Sequence, residues 1–367
     1  MQLAGAFDIL GAMKIPQRVL VIKLRAIGDV VMATPVLENL RSAFPFAEID
    51  FLAEKFCAPI IKGHPAINEV IELDRKYLRT LPFGKRLAAS LALLRDLRRR
   101  RYDLVFDLFG NPRTAIMTLV TGASKRVGFR FRGRRHAYNL VVEPRGNLVH
   151  EVEFNLDALR ALDIPIISRK LFMPLDHDSE TLAEKFWIEN NLADRSVIGL
   201  NASGGWYTKR WPLDHFAALG DEISEKLDAI VALIWGPGEL DDARGIAARM
   251  RHSALLIPQS DLILLSSLLR RLAVLVSNDS GPLHIAAAVG TPVVGIYGPT
   301  RSDLQGPWGE GHQIVRFDGL DCLGCNGVTC RIETHDCMQK LEVATVFQAL
   351  EKCLKKIPNK ITKQPSA

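Results

Sequence analysis

Apolar and polar positions along this chain change period from stretch to stretch. Residues 18–23 (Arg-Val-Leu-Val-Ile-Lys) form a short β-branched apolar run, the pattern of a strand buried on both faces. A glycine turn follows at Gly28, then helical spacing over 30–43, which Pro45 ends. A second strand is predicted over 48–53. Strand, helix and strand within about 35 residues make a βαβ unit. Residues 103–108 read as a further strand, with a helix over 112–120 behind it. The helix predicted over 84–100 sets Leu87, Leu91, Leu94 and Leu97 along one face.

The second half begins again in the same way. Strands are predicted at 197–201, 229–235, 273–277 and 292–297, with a short helix over 282–289 between the last two. Strands alternating with helices predict an α/β fold built on parallel, doubly wound sheets. The division should fall within 172–178, where Pro174 breaks the chain before a helix of about 12 residues. The domains expected are an N-terminal extension over 1–15, a first Rossmann-like domain over 16–174 and a second over 175–345. A terminal helix and tail complete the chain over 346–367. No tandem repeat of solenoid period is visible.

Composition narrows the class without choosing a function. At 367 residues, 48% hydrophobic and 24% charged, the chain is an ordinary globular protein with room for two domains. Its net charge of +6 suggests an anionic partner: a phosphorylated substrate, an acidic membrane face or nucleic acid. No apolar run reaches the roughly 20 residues of a membrane span. The first residues lack the basic start of a signal peptide, and Asp8 interrupts their apolar run; Met13 is an alternative start. A cytoplasmic protein with reduced cysteines is expected.

Three strand-end loops carry candidate chemistry. Ser277-Asn-Asp279-Ser280-Gly281-Pro-Leu-His284 ends a buried run and opens a helix. Its exposed N–H groups and dipole would suit an anion, with Asp279 or Ser280 as cap and Gly281 allowing close approach. The plainer alternative is a capped helix with a small-residue packing face. Asn201-Ala-Ser203-Gly204-Gly-Trp-Tyr-Thr-Lys209-Arg210-Trp-Pro is Gly-rich and ends in two cations, but lacks P-loop spacing. Those cations suit phosphate, or are solvated loop charges. Arg25-Ala-Ile-Gly28-Asp29 puts an aspartate after the first strand, either as general base or, the commoner use, as a helix cap.

Together these segments resemble glycosyltransferase family 9, the ADP-heptose:lipopolysaccharide heptosyltransferases. The motifs are Lys23-x4-Gly28-Asp29, Arg126-Val-Gly-Phe129, His150-Glu151-Val152-x2-Asn155-Leu156, Lys209-Arg-Trp-Pro212, and Asn278-Asp-Ser-Gly-x2-His284 running to Tyr297-Gly-Pro-Thr300. The resemblance implies a GT-B architecture, two Rossmann-like domains facing across a cleft, and an inverting transfer that needs no metal. It makes the first domain acceptor-binding and the second nucleotide-sugar-binding. It implies Asp29 as general base and Lys209 as the cation on the departing diphosphate. Ser203, Gly204, Lys209, Arg210, Glu239, Asp279, Ser280, Gly281 and His284 would hold an ADP-sugar donor, Glu239 on its ribose. Arg25, Lys125, Arg126, Arg130 and Arg132 would meet a lipopolysaccharide core acceptor on lipid A. The other reading of that basic stretch is a solvated loop.

The remaining candidates are less specific. Arg95 and the 98–101 arginine run end the helix over 84–100, as the dipole favours, and would also suit the cytoplasmic face of an inner membrane. Such runs fit nucleic acid too, but the loops above argue against nucleic acid as partner. Asp176-His-Asp178 mimics a metal-binding D-x-D pattern, yet its place before a helix favours capping by Asp178. Cys322, Cys325, Cys330 and Cys337 would ligate a structural zinc ion or an iron–sulfur cluster, or pack a loop as thiols. Cys57 is expected in the core. Two other readings stand beside the heptosyltransferase: the same fold with a hexosyl or N-acetylhexosaminyl donor, and a non-catalytic metal-binding protein.

Overall fold

The computed structural model describes residues 15–131 and 133–356, so Met13, Arg132 and the tail beyond 356 lie outside the described residues. The chain forms two compact units that divide between Pro174 and Leu175. In the first, β1 (Arg18–Ile22), β2 (Glu48–Glu54), β3 (Glu69–Leu73), β4 (Leu104–Asp107), β5 (Lys125–Phe129) and β6 (Leu140–Val142) pair in the order β3-β2-β1-β4-β5-β6. In the second, β7 (Val197–Asn201), β8 (Ile230–Ile234), β9 (Leu255–Leu256), β10 (Val274–Asn278), β11 (Val293–Tyr297) and β12 (Gln313–Arg316) pair in the order β12-β11-β10-β7-β8-β9. Every pairing in both sheets is parallel. Each sheet fills one side of its first strand, then the other. The order therefore reverses between β1 and β4, and between β7 and β10, where open α/β sheets place their ligands.

The central strands owe their burial to composition. Val19 to Ile22 on β1 and Val274 to Val276 on β10 are wholly buried, as β-branched runs covered by helices on both faces should be. In the second unit the helix Val343–Lys355 lays Val346, Leu350 and Cys353 onto the sheet.

Three local expectations need correction. The helix predicted over 30–43 is two helices, Ile27–Val31 and Pro35–Ala43. Pro35 has no N–H to continue the ladder, so the Val31 carbonyl accepts instead from the Thr34 N–H (3.1 Å) and hydroxyl (2.7 Å). Strands β3, β5, β6, β9 and β12 escaped the apolar pattern because they are short or carry charged residues at exposed positions. The helix Phe83–Arg99 does not bury the face assigned to it: Leu97 is buried, but Leu87 and Leu91 are 49% and 42% exposed.

Candidate functional site

The loops at the second switch point are held by a polar lattice. Asn201, the last residue of β7, donates through Nδ2 to the hydroxyls of Ser277 (2.7 Å) and Ser280 (2.8 Å). Ser203 donates back to Asn201 Oδ1. Asn278 at the end of β10 donates to the Ala202 carbonyl (2.8 Å) and accepts from the Trp211 N–H (3.2 Å). Trp211 itself is buried, its indole N–H on the Leu341 carbonyl at 3.0 Å. Its ring anchors the loop so that the preceding Lys209 and Arg210 have fixed starting points. Buried polar groups satisfied this fully define one loop geometry.

Within that frame Asp279 Oδ2 accepts from Lys209 Nζ and from the Thr300 hydroxyl, both at 2.7 Å. His284 Nε2 stands 3.9 Å from its other oxygen. Lys209 also lies 4.6 Å from the Trp206 ring centroid, a cation–π distance. The Lys209 and Asp279 side chains are only 16% and 7% exposed, so solvent screens this pair little. Tyr297 is buried beside it, and its hydroxyl is pushed well above the ordinary range, by burial first and then by Asp279. Neither Asp279 nor Ser280 caps the following helix Gly281–Ala288: Ser280 occupies the N-cap position without a side-chain cap bond. The capping expected there is corrected, because Asn201 and Lys209 engage those side chains first.

In the first unit the corresponding strand end carries Lys23, which is 3% exposed. Its ammonium donates to the Leu108 carbonyl (3.1 Å), Glu151 (2.7 Å) and Asn155 (3.2 Å). Burial alone would lower its pKa, but Glu151, Asp29 and Asp107 outweigh that and raise it above the ordinary lysine value. Asp29 lies in the first turn of helix Ile27–Val31 and accepts from the Ala26 N–H at 2.8 Å through Oδ2. It is thus a first-turn acid, one residue type the helix dipole favours, and not the N-cap itself.

The sequence model of glycosyltransferase family 9 (heptosyltransferase) matches residues 90–335. This chain belongs to that family. Lipopolysaccharide heptosyltransferase 1 of Pseudomonas aeruginosa is 27% identical over 332 residues, covering 88% of this chain and 90% of that protein. A solved family 9 glycosyltransferase from Veillonella parvula superposes with a TM-score of 0.84 at 22% identity, over 94% of this chain and 99% of that one. The Escherichia coli heptosyltransferase WaaC solved with ADP superposes with a TM-score of 0.71 at 23% identity, over 92% and 99%. The fold is GT-B, and the chain is a glycosyltransferase.

The family 9 residues expected from sequence are not all brought together. Ser203, Lys209, Asp279, Ser280 and His284 share the lattice above, beside Gly281, the first residue of its helix. Arg210 turns away, donating to the Gly204 carbonyl (3.1 Å) and pairing with Asp242 (3.3 Å). Glu239 folds onto its own loop, accepting the Gly236 N–H at 2.9 Å. Arg25 and Arg130 follow the carboxyl ends of β1 and β5, and Arg130 pairs with Glu143. Lys125 and Arg126 sit at the opposite, amino edge, so the structure does not place them with Asp29. Arg126 ties the chain there, donating to the carbonyls of Ala123 (2.7 Å) and Ala137 (2.9 Å). Sequence reasoning missed Thr300 as a partner of Asp279. Glu151 and Asn155 stand in the sequence only as motif residues, although a lysine ending an apolar strand needs such partners.

The decoy and the cysteines resolve in part. Asp176, not Asp178, caps the helix His177–Glu189 by accepting the Ser179 N–H at 2.7 Å. Cys57 is buried and burial pushes its thiol up. Cys322, Cys325, Cys330 and Cys337 are free and half-buried, and no group of three or more His, Cys, Asp or Glu among the described residues forms a ready metal cage.

Proposed function

We propose that this protein transfers a heptosyl group from an ADP-heptose donor to a lipopolysaccharide inner-core acceptor, with inversion and without a metal in the transfer step. The observation that carries the reading is the Lys209–Asp279–Thr300 cluster at the second switch point, framed by Ser203, Ser280 and the N-terminus of helix Gly281–Ala288. The curated relative from P. aeruginosa is a lipopolysaccharide heptosyltransferase, and the similar E. coli enzyme was solved with ADP.

In this mechanism the acceptor hydroxyl attacks the anomeric carbon opposite the leaving group. Its proton passes to the Asp29 carboxylate and later to solvent. The bond from that carbon to phosphate oxygen breaks, and its electron pair leaves on ADP. Lys209 exchanges Asp279 for the departing diphosphate and neutralises its growing charge. Backbone N–H groups at the start of helix Gly281–Ala288 add donors on the same side. Asp279 binds a sugar hydroxyl rather than phosphate, because like charges repel. Glu239 takes the nucleotide ribose, and Arg25 and Arg130 meet acidic groups of the acceptor.

An exposed face in the first unit supports a lipid-borne acceptor. Phe83, Leu87 and Leu91 on helix Phe83–Arg99, with Ile116 and Leu119 on the helix Pro112–Thr121, all lie exposed. Between these helices runs a groove of about 470 Å³, lined by Tyr77, Leu93, Leu94 and Met117 among others. Arg95, Arg98 and Arg99 line a neighbouring hollow. Apolar side chains rimmed by cations suit an anionic leaflet. No described helix is long and apolar enough to cross a membrane.

Calorimetric titration with ADP-heptose, ADP, UDP and a UDP-hexose tests the reading. Preferential binding of ADP-heptose, weakened in Lys209→Ala, is expected. Preference for a UDP-sugar would keep the transferase and replace the donor.

A further inference from the structure

Residues 319–337 form a loop that the transfer chemistry does not use. Its four cysteines line one small cavity of about 20 Å³ together with Thr208, Pro299 and His335. That is room for roughly one water-sized occupant. Cys322 and Cys325 share a tight turn, closed by the Cys325 N–H on the Cys322 carbonyl at 3.1 Å. Gly324, at φ +72°, takes the left-handed conformation that this turn requires.

His335 supplies the second, independent observation. It is 5% exposed, and its Nε2 lies 2.6 Å from the Thr208 carbonyl oxygen. A carbonyl only accepts, so the ring proton is assigned to Nε2 and Nδ1 carries a bare lone pair. That Nδ1 is buried and has no hydrogen-bond partner. An orphaned buried acceptor is costly in a core otherwise this well satisfied. A histidine with one N–H on a backbone carbonyl and the other nitrogen bare has the arrangement of a metal ligand.

We propose that this loop binds one soft divalent cation, zinc or ferrous iron. Its four-coordinate shell is drawn from the sulfurs of Cys322, Cys325, Cys330 and Cys337 and from His335 Nδ1. Thiolates with an imidazole select such an ion over magnesium or calcium. The donors line the cavity wall without forming a finished cage, so binding draws the loop inward and releases thiol protons to solvent. The loop also grips both partners of Asp279. The N–H groups of Gly324 and Asn326 donate to the carbonyls of Gly298 (3.0 Å) and Pro299 (2.6 Å), just before Thr300. The Thr208 hydroxyl donates to the Gly327 carbonyl at 2.8 Å, just before Lys209. The ion therefore positions Lys209 and Thr300; this second part rests on the donor-site reading, and metal binding itself does not.

The purified full chain, stripped with a chelator under reducing conditions, is titrated with cobalt(II), and the metal content of the unstripped protein is measured. One ion per chain is expected, with thiolate-to-cobalt charge-transfer bands and tetrahedral d–d bands. Cys322→Ser with Cys325→Ser should abolish the bands. His335→Gln, which can keep the bond to Thr208, should shift them toward an all-sulfur pattern. Stripping should weaken ADP binding by roughly tenfold. Failure of the wild-type chain to take up cobalt would overturn the site, whatever the variants do. An unchanged spectrum in His335→Gln would overturn the nitrogen ligand. Metal uptake with unmoved ADP affinity would overturn the coupling alone, and absence of ADP binding in both metal states would indict the donor reading instead.

Discussion

The two sheets share one strand order, yet each ends its first strand in a lysine environment of opposite kind. Lys23 follows β1 and is locked among Leu108, Glu151 and Asn155 with almost no access to solvent. Lys209 follows β7 after a glycine-rich loop and is held by one carboxylate and a tryptophan face. The first lysine has every donor occupied by a protein acceptor that cannot leave. In the proposed donor site, the second has a counter-ion that an incoming phosphate would displace. Identical topology thus provides a rigid strap in one unit and an exchangeable cation in the other, and the difference lies in loop length and in partner number.

The largest expected effect lies beside the strap. Asp29→Asn should lower kcat by about 10²- to 10⁴-fold, the usual contribution of a general base, with ADP affinity nearly intact. Unchanged turnover would remove Asp29 from the chemistry. Lys23→Met should destabilise the protein by about 3 kcal/mol in denaturant unfolding, because Glu151 loses its buried partner. A variant of wild-type stability with weakened donor binding would invert the comparison.

Acid should weaken both units next. His64 in the first unit accepts the Ala66 N–H through Nδ1 at 3.1 Å, and burial lowers its pKa from 6.5 to about 4. It folds neutral, so its contribution is complete above pH 6.5 and is lost as pH falls toward 4, by up to about 3 kcal/mol. His312 in the second unit is shifted the same way by burial, and also accepts a backbone N–H, from Val293 at 3.1 Å. His64→Asn should flatten the stability profile between those pH values; a profile as steep as wild type would assign acid lability elsewhere. The smallest effect is expected at the exchangeable cation: Lys209→Ala should weaken ADP binding by about 2 kcal/mol, typical of a lost charged hydrogen bond.

How much of this was legible in the sequence follows from range. The buried strands and the Lys209-Arg-Trp-Pro and Asn-Asp-Ser-Gly loops were visible because each is a contiguous pattern. The meeting of Asp279 with Lys209 and Thr300 was not, since their spacing in sequence carries no period. The basic stretch misled for a geometric reason. As a run of cations it suggests one patch, but β5 runs through it, and five residues of strand separate Lys125 from Arg130 by roughly 16 Å. The leucine face of helix Phe83–Arg99 shows the reverse error: its periodicity was real, but a helical stripe does not say whether protein covers it.

That uncovered stripe changes what a rate measurement on this enzyme would mean. If the proposed leaflet contact seats Phe83, Leu87 and Leu91 among acyl chains, the enzyme would search for acceptor in two dimensions. Its velocity would then track the mole fraction of acceptor in the bilayer, and adding inert lipid at fixed total acceptor would slow it by surface dilution.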